Sequence, residues 1–209
     1  MLAYLAVNMA LPRLATTLAG GTGSLSAQAR EAGIPEAVVE DVNGPAFHAA
    51  LRAAGPDLIV TFHFDQILSA ATIALAPMGG INIHPSLLPR HRGPIPTFWA
   101  GAEAEPAYGV TIHRLVPRID AGPILAQRAI TLPPGITASA AARRLHQAAV
   151  PLAGEVLQAL ASGTAAETPA AEPLPYCPFP DRAALRQARR RGARLLNPAD
   201  IGAALRMRV

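Results

Sequence analysis

The chain has 209 residues, 51% of them hydrophobic, and a mean hydropathy of +0.26, which excludes an intrinsically disordered protein and allows a sizeable core. A single cysteine, Cys177, excludes a disulfide framework and a multi-cysteine zinc site. The net charge of +4 is uneven: all 18 basic residues are arginine, and eight of them, against two acids, lie beyond residue 180, leaving a slightly acidic body.

The apolar opening, residues 1–11, has no positive residues before it, is cut short by Pro12-Arg13, and is too short to cross a bilayer. Leu2, Leu5 and Met9 fall at helical spacing, so it reads as a helix with one buried stripe, in a cytoplasmic protein with no membrane partner. Residues 20–24 (GGTGS) form a flexible turn, 26–33 a short helix, Val38-Val39 a short strand and 45–54 a helix. Residues 58–62 (LIVTF) are a continuous apolar run, the pattern of a strand buried on both faces. A helix over 69–76 leads to a second strand at 81–84, stopped by Pro85. Residues 109–115 alternate as a third strand, and 123–132 form a fourth paired with it as a hairpin. Thr137 caps a long helix to residue 161, with Ala141, Leu145, Ala148, Ala149, Leu152, Val156, Leu157 and Leu160 on its apolar stripe.

After Gly163 the composition changes. Five prolines within residues 164–180 predict an extended surface segment, and Asp181 can cap a basic helix ended by Gly192, with another short helix starting at Pro198. The organisation expected is therefore an α/β domain over 1–163 and a Pro-rich linker with a basic helical tail over 164–209, with ligands at the carboxyl ends of the strands.

Polar residues and turns concentrate at residues 80–94. In an extended segment Asn82 and His84 share one face while Ile81 and Ile83 point to the core, so an amide and an imidazole stand side by side at the strand's end. Such a pair can donate to an oxygen that becomes negative, or a neutral imidazole can take a proton from an amine; a structural His84 is equally open. Gly93 allows close backbone approach to a ligand. Asp120 occupies a tight turn between two strands, where a turn-former bonding its own backbone is the simpler alternative.

Taken together, INIHPSLLPRHRGP at 81–94, GVTIH at 109–113 and DAGPIL at 120–125 resemble the folate-dependent formyltransferases, the family of glycinamide ribonucleotide and methionyl-tRNA formyltransferases. The resemblance runs from about residue 56 to 161. It implies a Rossmann-like, mostly parallel sheet flanked by helices, and formyl transfer from 10-formyltetrahydrofolate to a primary amine without a metal. It also implies a catalytic set of Asn82, His84 and Asp120. Asn82 and protonated His84 would stabilise the tetrahedral oxyanion, and Asp120 would hold the imidazole charged. The implied donor pocket comprises Asp65, Gln66, Ile67 and Leu68, with Ser86, Leu87, Leu88 and Pro89 and the Arg118-Ile119 turn as further walls.

His63 and His113 match no catalytic position and read as structural, and Trp99 as part of a helix packed beneath the site. The family's first strand, Gly turn and helix precede the aligned region, and here only a helix over 1–18 stands for them, so either the fold lacks the first strand unit or the true start lies upstream. That disfavours a glycinamide ribonucleotide acceptor. An amino sugar or similar small amine is preferred, ahead of methionyl-tRNA, because the tail is too short for the family's tRNA-gripping domain. Arg186, Arg189, Arg190, Arg191 and Arg194 read as a solvated face, with an anionic ligand as the alternative. A 10-formyltetrahydrofolate hydrolase and a non-catalytic folate-binding homologue remain as other readings of the same residues.

Overall fold

Period-two alternation in the second and third strands decides how this chain folds, because it gives one sheet an apolar face for a helix and a polar face for a site. The computed structural model describes residues 1–12 and 25–206. Its strands are β1 (Ile59–Phe62), β2 (Gly80–His84), β3 (Gly109–Arg114) and β4 (Ile124–Ala129), and they form one sheet in that order. The helices are α1 (Leu2–Leu5, continued by a π-helical turn at Ala6–Ala10), α2 (Leu25–Glu31), α3 (Pro45–Ala54) and α4 (Ala70–Ile73). They continue with α5 (Pro96–Gly101), α6 (Ala138–Ala161), α7 (Arg182–Arg190) and α8 (Pro198–Arg206).

The α/β class stands, but the sheet is mixed rather than mostly parallel. Only β1 and β2 run parallel, with α4 in their crossover; β2–β3 and β3–β4 are antiparallel. The link from β3 to β4 is too short for a helical crossover, so those strands can only form a hairpin. Ile81, Ile83, Val110 and Ile112 pack against Leu145, Ala149, Leu152, Val156 and Leu160 of α6. Each fully buried Leu or Ile there contributes about 1.5–3 kcal/mol over its exposed state. The Thr137 hydroxyl accepts from the Ala140 amide (3.1 Å), capping α6 as its sequence predicts. Leu157, expected on the stripe, is instead 40% exposed.

Three local expectations are corrected. Val38-Val39 is not a strand: Val38 is almost fully exposed, and the backbone here is held by Gln66, which donates to the Val39 carbonyl and accepts from the Val42 amide. The β1 strand is not buried on both faces. Among the described residues it is the sheet's edge, and Val60 and Phe62 stay nearly half exposed while Thr61 is buried. The helix expected over 69–76 shortens to α4, the chain tightening into turns before Gly79. At the amino terminus the helix is present with Tyr4 and Val7 buried; the side chains of Leu2, Leu5 and Met9, and the turn at residues 20–24, lie outside the described residues. No helix among the described residues is long and apolar enough to cross a membrane.

Residues 164–180 run extended over the surface and bridge back to the sheet edge at Ile124–Thr168. A second apolar cluster joins Tyr4, Ile95, Phe98 and Ala138 to Ala188 of α7. Beside it, Asp200 is buried, accepting from Thr137 Oγ1 (2.8 Å) and the Asn197 amide (2.8 Å) and pairing with Arg143. Removing Asp200 leaves Arg143 without its carboxylate and the Thr137 hydroxyl and Asn197 amide without their acceptor, whereas the exposed Arg128–Glu155 pair is solvated. Chemical denaturation should therefore show Asp200→Ala losing about 3–5 kcal/mol, against under about 1 kcal/mol for Arg128→Ala.

Candidate active site

The sheet register sets Thr61, Asn82 and His113 side by side on three adjacent strands, with His84 opposite Thr111 two residues on. This is the face opposite α6, as the alternation of Ile81 and Ile83 with Asn82 and His84 requires. After Pro85 the chain folds back over the polar face. Ser86 donates to the Arg90 carbonyl (2.8 Å), Thr111 Oγ1 donates to the Ser86 carbonyl (2.7 Å) and accepts from the Leu88 amide (3.1 Å), and Gln127 donates to the Leu88 carbonyl (2.9 Å). This loop is thus fixed at both ends.

Asp120 enters from the β3–β4 connection in a left-handed conformation, φ 47°. At Gly122, two residues on, a Cβ would collide with the Arg114 carbonyl, so only glycine lets the turn close this tightly. The Asp120 carboxylate accepts from Asn82 Nδ2 at Oδ1 (3.3 Å) and from the Gly93 amide at Oδ2 (2.9 Å). Asn82 is oriented by the Thr61 hydroxyl, which donates to its Oδ1 (2.9 Å). His113 Nδ1 lies 2.9 Å from the Arg114 carbonyl, which can only accept, so Nδ1 carries the proton and Nε2 accepts from Asn82 Nδ2 (3.1 Å). By the same logic His84 Nε2, 3.2 Å from the His91 carbonyl, carries its proton. His84 Nδ1 then faces Asp120 Oδ1 at 3.6 Å, too far for a direct hydrogen bond.

Burial drives the His84 pKa down, and this outweighs the upward pull of Asp120, so the net shift is below the ordinary histidine value. This downward direction runs against the expectation that Asp120 holds the imidazole charged, although Asp120 itself does pull the pKa upward. Burial pushes the Asp120 carboxyl up, but the His113 ring, the His84 ring and the Gly93 amide outweigh it and hold it below the usual carboxylate range. A carboxylate, an amide donor and an imidazole thus meet on one largely buried face. That set suits proton transfer beside a developing oxyanion.

Of the expected donor-pocket residues, Leu88 and Pro89 share a cavity wall with Asp120, facing Ala170, Ala171 and Pro173. The cavity is about 10 Å³, room for about one water. The others do not line it. Ser86 is buried in the loop's own bonds, Leu87 packs on Gly109, Arg118 is exposed, and Ile119 offers its carbonyl to Arg92. Asp65 is exposed, the Gln66 amide is committed to residues 39 and 42, the Ile67 carbonyl accepts from Asn43, and Leu68 is buried. Gly93 does permit a close approach, but to the chain itself: a Cβ there would strike the Cys177 carbonyl. Trp99 lies in α5 and donates to the Pro178 carbonyl (3.0 Å).

Thr61, His113 and Arg92 belong to this cluster and were not singled out as site residues by the sequence. His113 carried a usable signal, since Thr111 and His113 alternate with apolar neighbours and so share a face. His146 had none. Its ring packs on Phe62 (4.7 Å between centroids) and His63 (5.5 Å), and its Nε2 is buried without a partner. Among the described residues no group of three or more His, Cys, Asp or Glu is arranged to hold a metal.

The family model for formyl transferase matches residues 26–157, more than half of the chain. The formyltransferase PseJ from Anoxybacillus kamchatkensis, solved with UDP-4,6-dideoxy-4-formamido-L-AltNAc and tetrahydrofolate, aligns with a TM-score of 0.54 and 27% identity. The alignment covers 59% of this chain and 65% of that one, so the chain spans just under two thirds of that protein's length. Glycinamide ribonucleotide transformylase 1 from Symbiobacterium toebii gives 0.60 and 26%, over 65% and 68% of the two chains. The Rv3404c protein of Mycobacterium tuberculosis gives 0.65 and 24%, over 83% and 81%, a likeness of fold.

Burial also gives the α6 side of the sheet a pH signature. Burial, with the neighbouring His63 and His84, lowers the pKa of His146 to about 4. A group whose folded pKa lies below its unfolded one binds more protons when unfolded, so stability is complete at neutral pH and falls as pH drops below about 6.5. Between pH 7 and pH 5 this single ring should remove about 2 kcal/mol from the unfolding free energy. Urea titrations should show that loss in the wild type and a shallower slope in His146→Leu.

Proposed function

Because the chain belongs to the formyl transferase family, we propose that it transfers a formyl group from 10-formyltetrahydrofolate to the primary amine of an amino sugar, with Asn82, His84 and Asp120 as its catalytic set. The observation that carries this reading is the convergence of the three side chains from β2 and the β3–β4 turn, Asn82 Nδ2 lying 3.3 Å and His84 Nδ1 3.6 Å from Asp120 Oδ1. The preference for an amino sugar draws on PseJ, whose bound ligand carries a formamido group on a nucleotide-linked sugar beside tetrahydrofolate.

In this mechanism the amine nitrogen attacks the formyl carbon, a C–N bond forms, and the carbonyl electron pair moves to oxygen. Asn82 Nδ2 exchanges its 3.3 Å bond to Asp120 for the oxyanion. The attacking nitrogen loses a proton to His84 Nδ1, and the resulting imidazolium is stabilised by Asp120 across the present 3.6 Å gap. Collapse re-forms the carbonyl and breaks the bond to N10 of the folate, which leaves with the proton held on His84. A formamide and tetrahydrofolate result. His84 begins neutral and is charged only while it carries that proton, which agrees with its downward shift in the resting protein. Positioning two reactants against a fixed donor set supplies much of the rate.

Incubation with 10-formyltetrahydrofolate and a nucleotide-linked 4-amino-4,6-dideoxy sugar should release tetrahydrofolate only when the amine is present. His84→Ala and Asn82→Ala should each lower kcat by about a hundredfold to ten-thousandfold. Formate release without an acceptor, or activity unchanged in both variants, would overturn this reading.

A further inference from the structure

Arg92 is 5% exposed and forms no ion pair among the described residues. A guanidinium cannot shed its proton, so a buried one must satisfy its donors in some other way. Here they fork onto two carbonyls from different segments. Nε donates to the Ile119 carbonyl (2.9 Å), joined there by Nη2, and Nη1 donates to the Leu174 carbonyl (3.0 Å). The Arg92 carbonyl in turn accepts from the Cys177 amide (2.8 Å).

The two anchored segments matter because of what adjoins them. Ile119 precedes Asp120, whose Oδ2 is held by the amide of Gly93, the residue after Arg92. Arg92 and Gly93 therefore grip the Asp120 turn by its backbone and by its side chain. Leu174 follows Pro173, which with Ala170 and Ala171 forms the cavity wall facing Leu88 and Asp120. One side chain thus sets the distance between the catalytic loop, the Asp120 turn and the Pro-rich segment.

We propose that Arg92 is a positioning residue of the transfer site, whose fork fixes the Asp120 carboxylate opposite His84 and holds residues 170–177 as the outer wall of the reaction pocket. The claim rests on the formyl-transfer reading for its kinetic consequence, but its geometric content is independent of activity. A lysine keeps the charge and offers only a point ammonium, which cannot span both carbonyls as the planar fork does.

The test compares full-length wild type with Arg92→Lys, first without substrates. Amide hydrogen exchange should speed up at least about tenfold at Gly93 and Cys177 while Val110 and Ile112 in the sheet keep wild-type rates, the mark of a local release. Protease cleavage within 170–177 should accelerate by a similar factor. With donor and amino sugar, kcat should fall about tenfold to a hundredfold with the donor KM changed less than about threefold, since a small misplacement of a catalytic group acts on the reacting state. Equal exchange at all four amides and unchanged cleavage would overturn the proposal even in an active enzyme. If wild type shows no transfer, the substrate-free measurements still decide it. Should Arg92→Lys fail to fold, the wild type decides alone: the Arg92 Nε proton must exchange about a hundredfold slower than those of exposed arginines and its signal must shift when tetrahydrofolate binds. Failure of either would overturn the proposal.

Discussion

A carboxylate that stays ionised on a buried surface has to be met by donors from every side, and Asp120 imposes that requirement on the elements around it. Burial alone would raise its pKa; the net lowering comes from groups on separate parts of the chain. The His113 ring lies on the third strand, the His84 ring on the second, and the Gly93 amide on the loop that folds back between them. Each contribution constrains its own segment. The loop must return far enough to aim an amide at Oδ2, and the hairpin turn must adopt a left-handed backbone at Asp120 itself. The glycines at 93 and 122 stand where a Cβ would strike a carbonyl, so these approaches could not tolerate another residue without moving.

The same burial has the opposite effect on the histidine. A carboxylate beside an imidazole ordinarily argues for a charged ring, yet His84 loses more by leaving water than Asp120 returns to it. Its neighbours explain part of the balance. Asp120 shares its charge among several partners, and the rings of His113 and His91 work against a second positive charge. In the proposed reaction the proton arrives with the chemistry, and Asp120 serves to lower the energy of that transient imidazolium.

The chain beyond the long helix is tied into this arrangement at several points. Its extended part pairs with the sheet edge at Thr168, accepts from Arg92 at Leu174 and from Trp99 at Pro178, and donates to Arg92 at Cys177. The following helices bury Ala188 and Asp200 against the same body. The basic residues on α7 face outward, and what they meet in solution is separate from the packing that docks the helix. A segment whose composition reads as a linker thus forms a wall of the pocket, because its backbone carbonyls are the partners that a buried guanidinium needs.

Local physics wrote much of this into the sequence. Period-two alternation fixed that Asn82 and His84 share a face, a threonine cap and an apolar stripe fixed the long helix, and short connections fixed the β3–β4 hairpin. Those features depend on residues within a few positions of one another. What the tertiary structure alone decided depends on groups distant in sequence. It made β1 an edge strand rather than a buried one, left Val38-Val39 without a strand to pair with, and brought His113 and Thr61 against Asn82. It also buried His84 deeply enough to turn its pKa shift downward and gave Arg92 its carbonyls. Burial and hydrogen-bond partnership are properties of the whole packed molecule, so a residue's pKa and its partners are undetermined until the surrounding chain has closed over it.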